Sequence, residues 1–356
     1  MSRPAPAFEA TTDLPGVPYT QMQQVFLTEV EEHNLKVHED SDQRMIVDVG
    51  SGLVRLTKGA SVEAQMTVAA DTENELFMLK WGLVEQLRSL FPDTTEAIRW
   101  SDGGAAGSLP PNFRFVRVLG VEQLCDTFLR VTLAAEDLSS FGDAAIHFRI
   151  VLPPKDETPE WPTLAPNGSV KWPEGAEAPH KPVYTARRVD HAANTLHMDV
   201  FIHEGGRTTG WAQGIMAGSD ARTTIGLLGP AGGGLIAQTN VVIASDETGF
   251  PPAARHIEGL PEGARADVYL EAEHGAACGY PMPDRYGITL HWLSRSKGET
   301  ATTAALDVVA RKPEALLWFA GERGDAKRLR DAAKEAGWDK DLLRISSFWA
   351  AEAADA

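Results

Sequence analysis

"KPVYTARRVD", residues 181–190, decides how the rest of the chain is read. Tyr184, Thr185, Arg187 and Arg188 bring an aromatic ring, a hydroxyl and two guanidiniums together on a strand-like pattern. Strand alternation puts Tyr184 and Ala186 on one side and Thr185 and Arg187 on the other. Alone, the stretch is either an amphipathic strand with its charges in water or the floor of a site for something flat and anionic. An aromatic can stack on a planar ring, a hydroxyl can bond a ring nitrogen, and a guanidinium can clamp phosphate with its planar fork of donors.

Outward from it, residues 113–235 hold six strand-like stretches: "FRFVRVLG", "TFLRVTLA", "IHFRIVLP", "VYTARRVD", "TLHMDVFIHE" and "TTIGLLGP". They are rich in β-branched and aromatic residues and poor in helix, which predicts a six-stranded antiparallel β-barrel. A polar, Pro-rich insertion at about 153–181 separates the third from the fourth. In "HEGGRTTGWAQGIMAGSD", residues 203–220, Gly205 and Gly206 either let backbone amides approach a pyrophosphate ahead of a helix near Trp211, or simply make a turn. "GLLGPAGGG", 226–234, ends the barrel with a sharp turn and a glycine run that reads as a linker.

After 236 the grammar changes. "TNVVIASD", "ADVYLEAE", "TLHWLSR" and "ALLWFAGE" alternate with helical patterns at 250–259, 300–310 and 323–336, so an α/β domain with a parallel sheet is expected over 236–356. In "ASDETGFPPAARHIEGLP", 244–261, a dinucleotide-binding fold would carry a G-x-G-x-x-G loop, and none is present. Asp246, Glu247 and Thr248 stand there instead, as helix-capping residues or as site residues. Upstream, 20–100 read as a small α+β domain. It has an apolar-periodic segment at 22–35, strands at 45–50 and 53–59, and a helix over 73–91 with Leu76, Leu79, Leu83, Leu87 and Leu90 on one face. Residues 1–19 read as a tail and 101–112 as a linker.

The 356 residues and 43% hydrophobic content give material for two or three globular domains. No apolar run approaches the roughly 18 residues that span a bilayer, and the N-terminal stretch has no apolar signal-peptide core. A net charge of −17 disfavours nucleic acid and anionic membrane surfaces as partners, so any anionic ligand needs a local basic site. Cys125 and Cys278, far apart in sequence, suggest neither a disulfide framework nor a zinc site, and the expected location is cytoplasmic. His33 and His38 lack the i, i+4 spacing of a helical metal pair, so no metal site is expected.

Taken in order, these motifs resemble the siderophore-interacting proteins, flavin-dependent ferric-siderophore reductases related to the ferredoxin reductase fold. The residues carrying the resemblance are Tyr184, Thr185 and Arg187; His203, Gly206, Trp211 and Ala212; Gly229 and Pro230; Asp246, Glu247, Thr248 and Pro251; Gly321 and Glu322; and Trp349. The resemblance implies that Tyr184 packs on the isoalloxazine of FAD, Thr185 bonds near its reactive nitrogen and Arg187 meets the pyrophosphate. It also implies that amides from Gly206 to Ala212 face phosphate, and that Asp246, Glu247 and Thr248 lie near the ring and the donor site. His203, Trp211 and Trp349 complete the implied cofactor-binding set. The implied reaction is reduction of a ferric-siderophore chelate through FAD by NADPH, NADH or a ferredoxin, with the protein placing and tuning the flavin and no residue acting as general base.

The sequence departs from the family pattern at Pro182, where an arginine is expected, at Arg207–Thr209, at Ser245 and at Ala350. Two other readings follow from these departures: a flavin-poor member that binds a chelate or a protein without turnover, and a flavin reductase for another acceptor. The sequence assigns no role to 20–100 beyond packing or protein contact.

Overall fold

The computed structural model describes residues 6–33, 35–59, 64–103, 106–155, 158–311 and 314–351, so that 104 and 105 of the expected linker lie outside it. Tertiary contacts divide the chain into two units. One comprises residues up to 113 together with the segment ending at 179, and the other comprises 114–155 and everything from 180.

The first unit runs β1 (Phe8–Leu14), α1 (Tyr19–His33), β2 (Lys36–Asp40), β3 (Arg44–Asp48), β4 (Gly52–Thr57), β5 (Ala64–Ala70), α2 (Glu73–Leu90) and α3 (Pro92–Ala97). Its strands form an antiparallel sheet in the order β1-β5-β4-β3-β2. β1 lies in the stretch read as a tail. Its buried positions are Ala10, Thr12 and Leu14, too weakly apolar to signal a strand, and full pairing along β5 makes it one. α2 opens on a capping box between Thr72 and Glu75. Its buried face is Leu76, Lys80, Val84 and Leu87 rather than the five-leucine stripe, and Leu90 is 50% exposed. Lys80 tolerates burial because it pairs with Asp102 and lies 5.8 Å from the Trp100 ring centroid.

In the second unit, β6 (Phe113–Cys125), β7 (Phe128–Ala134), β8 (His147–Val151), β11 (Val183–Thr185), β12 (Arg188–Asp190), β13 (Thr195–Phe201) and β14 (Thr224–Ala231) form one sheet, in the order β11-β8-β14-β6-β7-β13-β12. Seven segments stand where six were expected because "VYTARRVD" is divided. Ala186 N donates to Ile146 O beside β8, whereas Arg187 N donates to His197 O of β13. One short stretch thus supplies both ends of the strand order. α4 (Arg207–Met216) sets Trp211 and Ala212 into the core of this sheet among Val131, Met198 and Ile225.

The parallel sheet follows, with β15 (Asn240–Ser245), β16 (Arg265–Ala272), β17 (Ile288–Ser294), β18 (Leu316–Glu322) and β19 (Leu343–Trp349) in the order β17-β16-β15-β18-β19. It is flanked by α5 (Phe250–Gly259), α6 (Ala301–Arg311) and α7 (Arg323–Glu335). β19 has no counterpart in the sequence reading, since "LRISSFW" mixes Arg and Ser into the pattern and is half-exposed to exposed along its length. Strand order reverses between β15 and β18, and in such sheets ligands bind outside the carboxyl ends of the strands at that reversal.

The insertion belongs with the first unit. Its hairpin, β9 (Thr163–Leu164) and β10 (Val170–Lys171), packs Leu164 and Val170 on Phe77 of α2. Trp100 Nε1 donates to Asn167 O at 3.0 Å, and Asn167 Nδ2 donates to Thr95 O at 3.1 Å. These buried bonds tie the hairpin to the end of α3.

Candidate functional site

The junction of β11 and β12 is gripped by one helix. Arg255 of α5 donates to Ala186 O and, at 2.8 Å, to Gly142 O, while Glu258 receives both terminal nitrogens of Arg187 at 2.7 and 2.8 Å. Arg255 and Glu258 are three apart and so share a helix face, which lets α5 fix the strand at the point where it changes neighbours. Arg187, expected at the FAD pyrophosphate, is therefore committed to Glu258 as a bidentate pair. Only its buried Nε has no protein partner.

Upstream of the grip, Tyr184 and Thr185 lie opposite Phe148 and His147 of β8. Burial pushes the Tyr184 phenol up to about 12, with the Thr208 hydroxyl acting in the opposite direction. Thr185 is 5% exposed, and its Oγ1 lies 3.3 Å from His147 Nδ1. Burial first, and then the charge of Arg255, push His147 down to about 4, so the ring is neutral near pH 7.

At the head of α4, Gly205 has φ +73° and Gly206 is the N-cap. A Cβ on Gly206 would stand 2.7 Å from His203 Nε2 and 2.9 Å from Thr209 Oγ1, so any larger residue there must displace those side chains. Gly210 N already bonds Gly206 O, which leaves the amides of Arg207, Thr208 and Thr209 as the unspent donors of the first turn. Trp211 and Ala212, expected to present amides to phosphate, lie beyond that turn. Both are buried, and the Trp211 indole donates to Arg222 O at 3.1 Å. The buried Thr208 hydroxyl lies beside the Tyr184 phenol. His180, two residues before Pro182, is held below its usual range first by burial and then by the charge of Arg207.

A cavity of about 480 Å³ opens at the carboxyl ends of β15, β16, β18 and β19, within the size range of small-molecule sites. His203, Asp246, Glu247, Thr248 and Trp349 all line it, with Phe201 and Phe319 as apolar wall. Asp246 does cap the helical turn that follows: Oδ1 accepts from Thr248 N at 2.9 Å, and Oδ2 accepts from Trp349 Nε1 at 2.7 Å. Burial raises its pKa against those bonds. Glu247 is buried and pairs with Arg295, whose Nε reaches Glu271 at 2.7 Å. Reasoning from sequence missed Arg255, Glu258, Glu271 and Arg295. The only signal for the first two was an Arg and a Glu three apart in a mostly apolar helix.

An antiparallel sheet that offers an aromatic, a hydroxyl and a helix N-terminus, followed by a parallel sheet with a cavity at its switch point, defines a ferredoxin reductase-like flavoprotein. Residues 117–234 match the siderophore-interacting FAD-binding domain, and residues 238–352 match the siderophore-interacting protein model. The chain belongs to the siderophore-interacting protein family and is an FAD-dependent oxidoreductase. It is 27% identical over 250 residues to an NADPH-dependent ferric-chelate reductase of Escherichia coli (strain K12), covering 67% of this chain and 94% of that one. A siderophore utilization protein from T. fusca superposes with a TM-score of 0.53 at 25% identity, over 71% of this chain and 98% of that one. The siderophore-interacting protein SipS from Aeromonas hydrophila shares the fold, with a TM-score of 0.53 at 19% identity over 68% of this chain and 92% of that one. Both family matches lie beyond the β1–α3 part of the first unit.

Proposed function

We propose that the protein reduces ferric-siderophore chelates with electrons from NADPH, passed through FAD, and so releases iron as Fe(II). The observation that carries the reading is the gripped strand: α5 holds Ala186 and Arg187 while Thr185 stays paired to β8 and Tyr184 reaches the Thr208 side chain near the head of α4. The donor is read from the E. coli relative, which shares 27% of its residues with this chain.

The residues present fit FAD. Unspent amides at Arg207 to Thr209 and the Arg207 guanidinium form a phosphate-binding end. Tyr184 offers a flat apolar face, and Thr185 offers a hydroxyl held by His147. When bound, FAD supplies the conversion of a two-electron hydride donor into single-electron transfers. The balance is one NADPH and two Fe(III) chelates to one NADP⁺, one proton and two Fe(II) chelates. Hard oxygen ligands hold Fe(II) less tightly than Fe(III), so the metal can leave.

The chain's own part is placement. Thr185 is presented by its pairing to β8 and by neutral His147, and Phe348 packs edge-on against the His147 ring at 5.8 Å. The Trp349–Asp246 bond holds the end of β19 against the β15 turn at the wall of the cavity. Iron(II) formation from a ferric chelate, followed anaerobically with a ferrous-specific chromogenic chelator, tests the reading. Two Fe(II) per NADPH are expected with FAD-loaded protein, and no Fe(II) above the protein-free control would refute it.

A further inference from the structure

The chain has two cysteines, far apart in sequence, and the fold brings them together at the seam between the two sheets of the second unit. Cys125 ends β6 and is half-buried, whereas Cys278 is buried in the turn that follows β16. Thr127 stands between them: its Oγ1 lies 3.5 Å from Cys125 Sγ and donates to Cys278 O at 3.3 Å. A Cβ on Gly279 would lie 3.5 Å from Cys125 Cβ, so the residue next to Cys278 packs directly on Cys125.

The turn that carries Cys278 is docked on the flavin sheet. The Tyr280 ring packs on Phe128 of β7 with 4.5 Å between centroids, and its hydroxyl donates to Asp199 Oδ2 at 2.7 Å. Arg130 holds the same carboxylate at 2.7 and 2.8 Å. Leu124, Phe128 and Phe201 share one hydrophobic cluster with Ile243, Phe250 and Val268 of the parallel-sheet half, so packing of the seam sets the meeting of the two cysteines. Gly279, with φ +73°, lets the chain turn beside Cys278 with no side chain between it and Cys125. Burial first, with the Cys125 sulfur adding to it, pushes the Cys278 thiol up, and the less buried Cys125 is the one a small oxidant meets first.

We infer that Cys125 and Cys278 are a dithiol that hydrogen peroxide converts to an intrachain disulfide, joining β6 of the flavin sheet to the turn after β16. The Cys125 sulfur attacks the O–O bond of peroxide, giving a sulfenic acid and one water. The Cys278 sulfur then attacks that sulfenic sulfur, forming the S–S bond, and the hydroxyl leaves with the Cys278 proton as a second water. Two thiols lose two electrons and one peroxide gains them, so no further reactant is needed. The bond cross-links the two halves of the second unit, which constrains the unfolded chain, and a thiol reductant reverses it. The inference stands apart from the ferric-chelate reading and uses none of its residues.

Intact mass and a non-reducing peptide map of the full chain, before and after about one equivalent of hydrogen peroxide, test it. The expected result is a monomer lighter by two hydrogens, with both thiols lost to a thiol reagent in urea and the Cys125 and Cys278 peptides linked. The urea midpoint should rise on oxidation and return with dithiothreitol. Cys278→Ser should stop at oxygen added to Cys125, with no rise in midpoint. Two thiols that survive peroxide, oxygen added to the wild-type cysteines without linked peptides, or a link found only between chains would overturn the proposal.

Discussion

Arg207 stands where the chain most needs a cation. Pro182 removes the family's guanidinium, Arg187 is held by Glu258, and Arg207 lies at the head of α4 near His180. A charge-assisted hydrogen bond is worth about 1.5–3 kcal/mol, so Arg207→Ala is expected to weaken FAD about ten- to hundredfold, measured by flavin fluorescence titration. The buried histidines make a second residue-scale prediction. His147 is held near 4, and His256, buried first and then opposed by His147 and two arginines, is held near 3, against an unfolded value near 6.5. The unfolded chain therefore binds more protons between these values. Stability is full above about 6.5 and falls as pH drops toward 4, by up to about 1.4 kcal/mol per unit for each histidine. Urea midpoints across that window should show the slope, and His147→Gln should flatten it.

At the scale of elements, α5 is the fastening of the site. Glu258→Ala would leave the largely buried Arg187 guanidinium without its acceptor, an expected loss of about 1–3 kcal/mol in urea unfolding. Arg187→Ala combined with Glu258→Ala should cost less than the sum of the two single changes. The insertion hairpin makes the matching prediction for the first unit. Leu164→Ala removes a side chain from the cluster with Phe77 and Val170, with an expected cost of about 2–4 kcal/mol that differential proteolysis of residues 6–113 would report.

These elements also show what a sequence can carry. α5, α6 and α7 and the strands β15 to β18 were legible because continuous apolar runs alternate with amphipathic ones, and both signals are local. β1 and β19 were not, since pairing with a neighbouring strand, and not their own composition, makes them strands. The aromatic and hydroxyl of "VYTARR" and the acids of "SDET" were legible by residue type. The grip on that strand was not, because Arg255 and Glu258 act 69 and 71 residues from their partners. The same distance turned Arg187 from an expected phosphate ligand into half of an internal ion pair.

At the scale of the whole molecule, the second unit carries every candidate site residue, and the first is completed by a hairpin lent from between two strands of the second. The acidic cavity and the net charge of −17 act together on small charged partners. The KM for anionic NADPH is therefore expected to fall as salt rises, which steady-state rates at several NaCl concentrations would reveal.

On this reading, the strand, helix and cavity together make a working flavin site that passes electrons to iron. The most direct test is the visible spectrum of the protein after incubation with FAD and desalting, followed anaerobically through NADPH and then a ferric chelate. The account predicts retained oxidised-flavin bands that bleach with NADPH and return when the chelate is added. Absence of flavin bands after desalting, or bleached bands that the ferric chelate leaves unchanged, would contradict it.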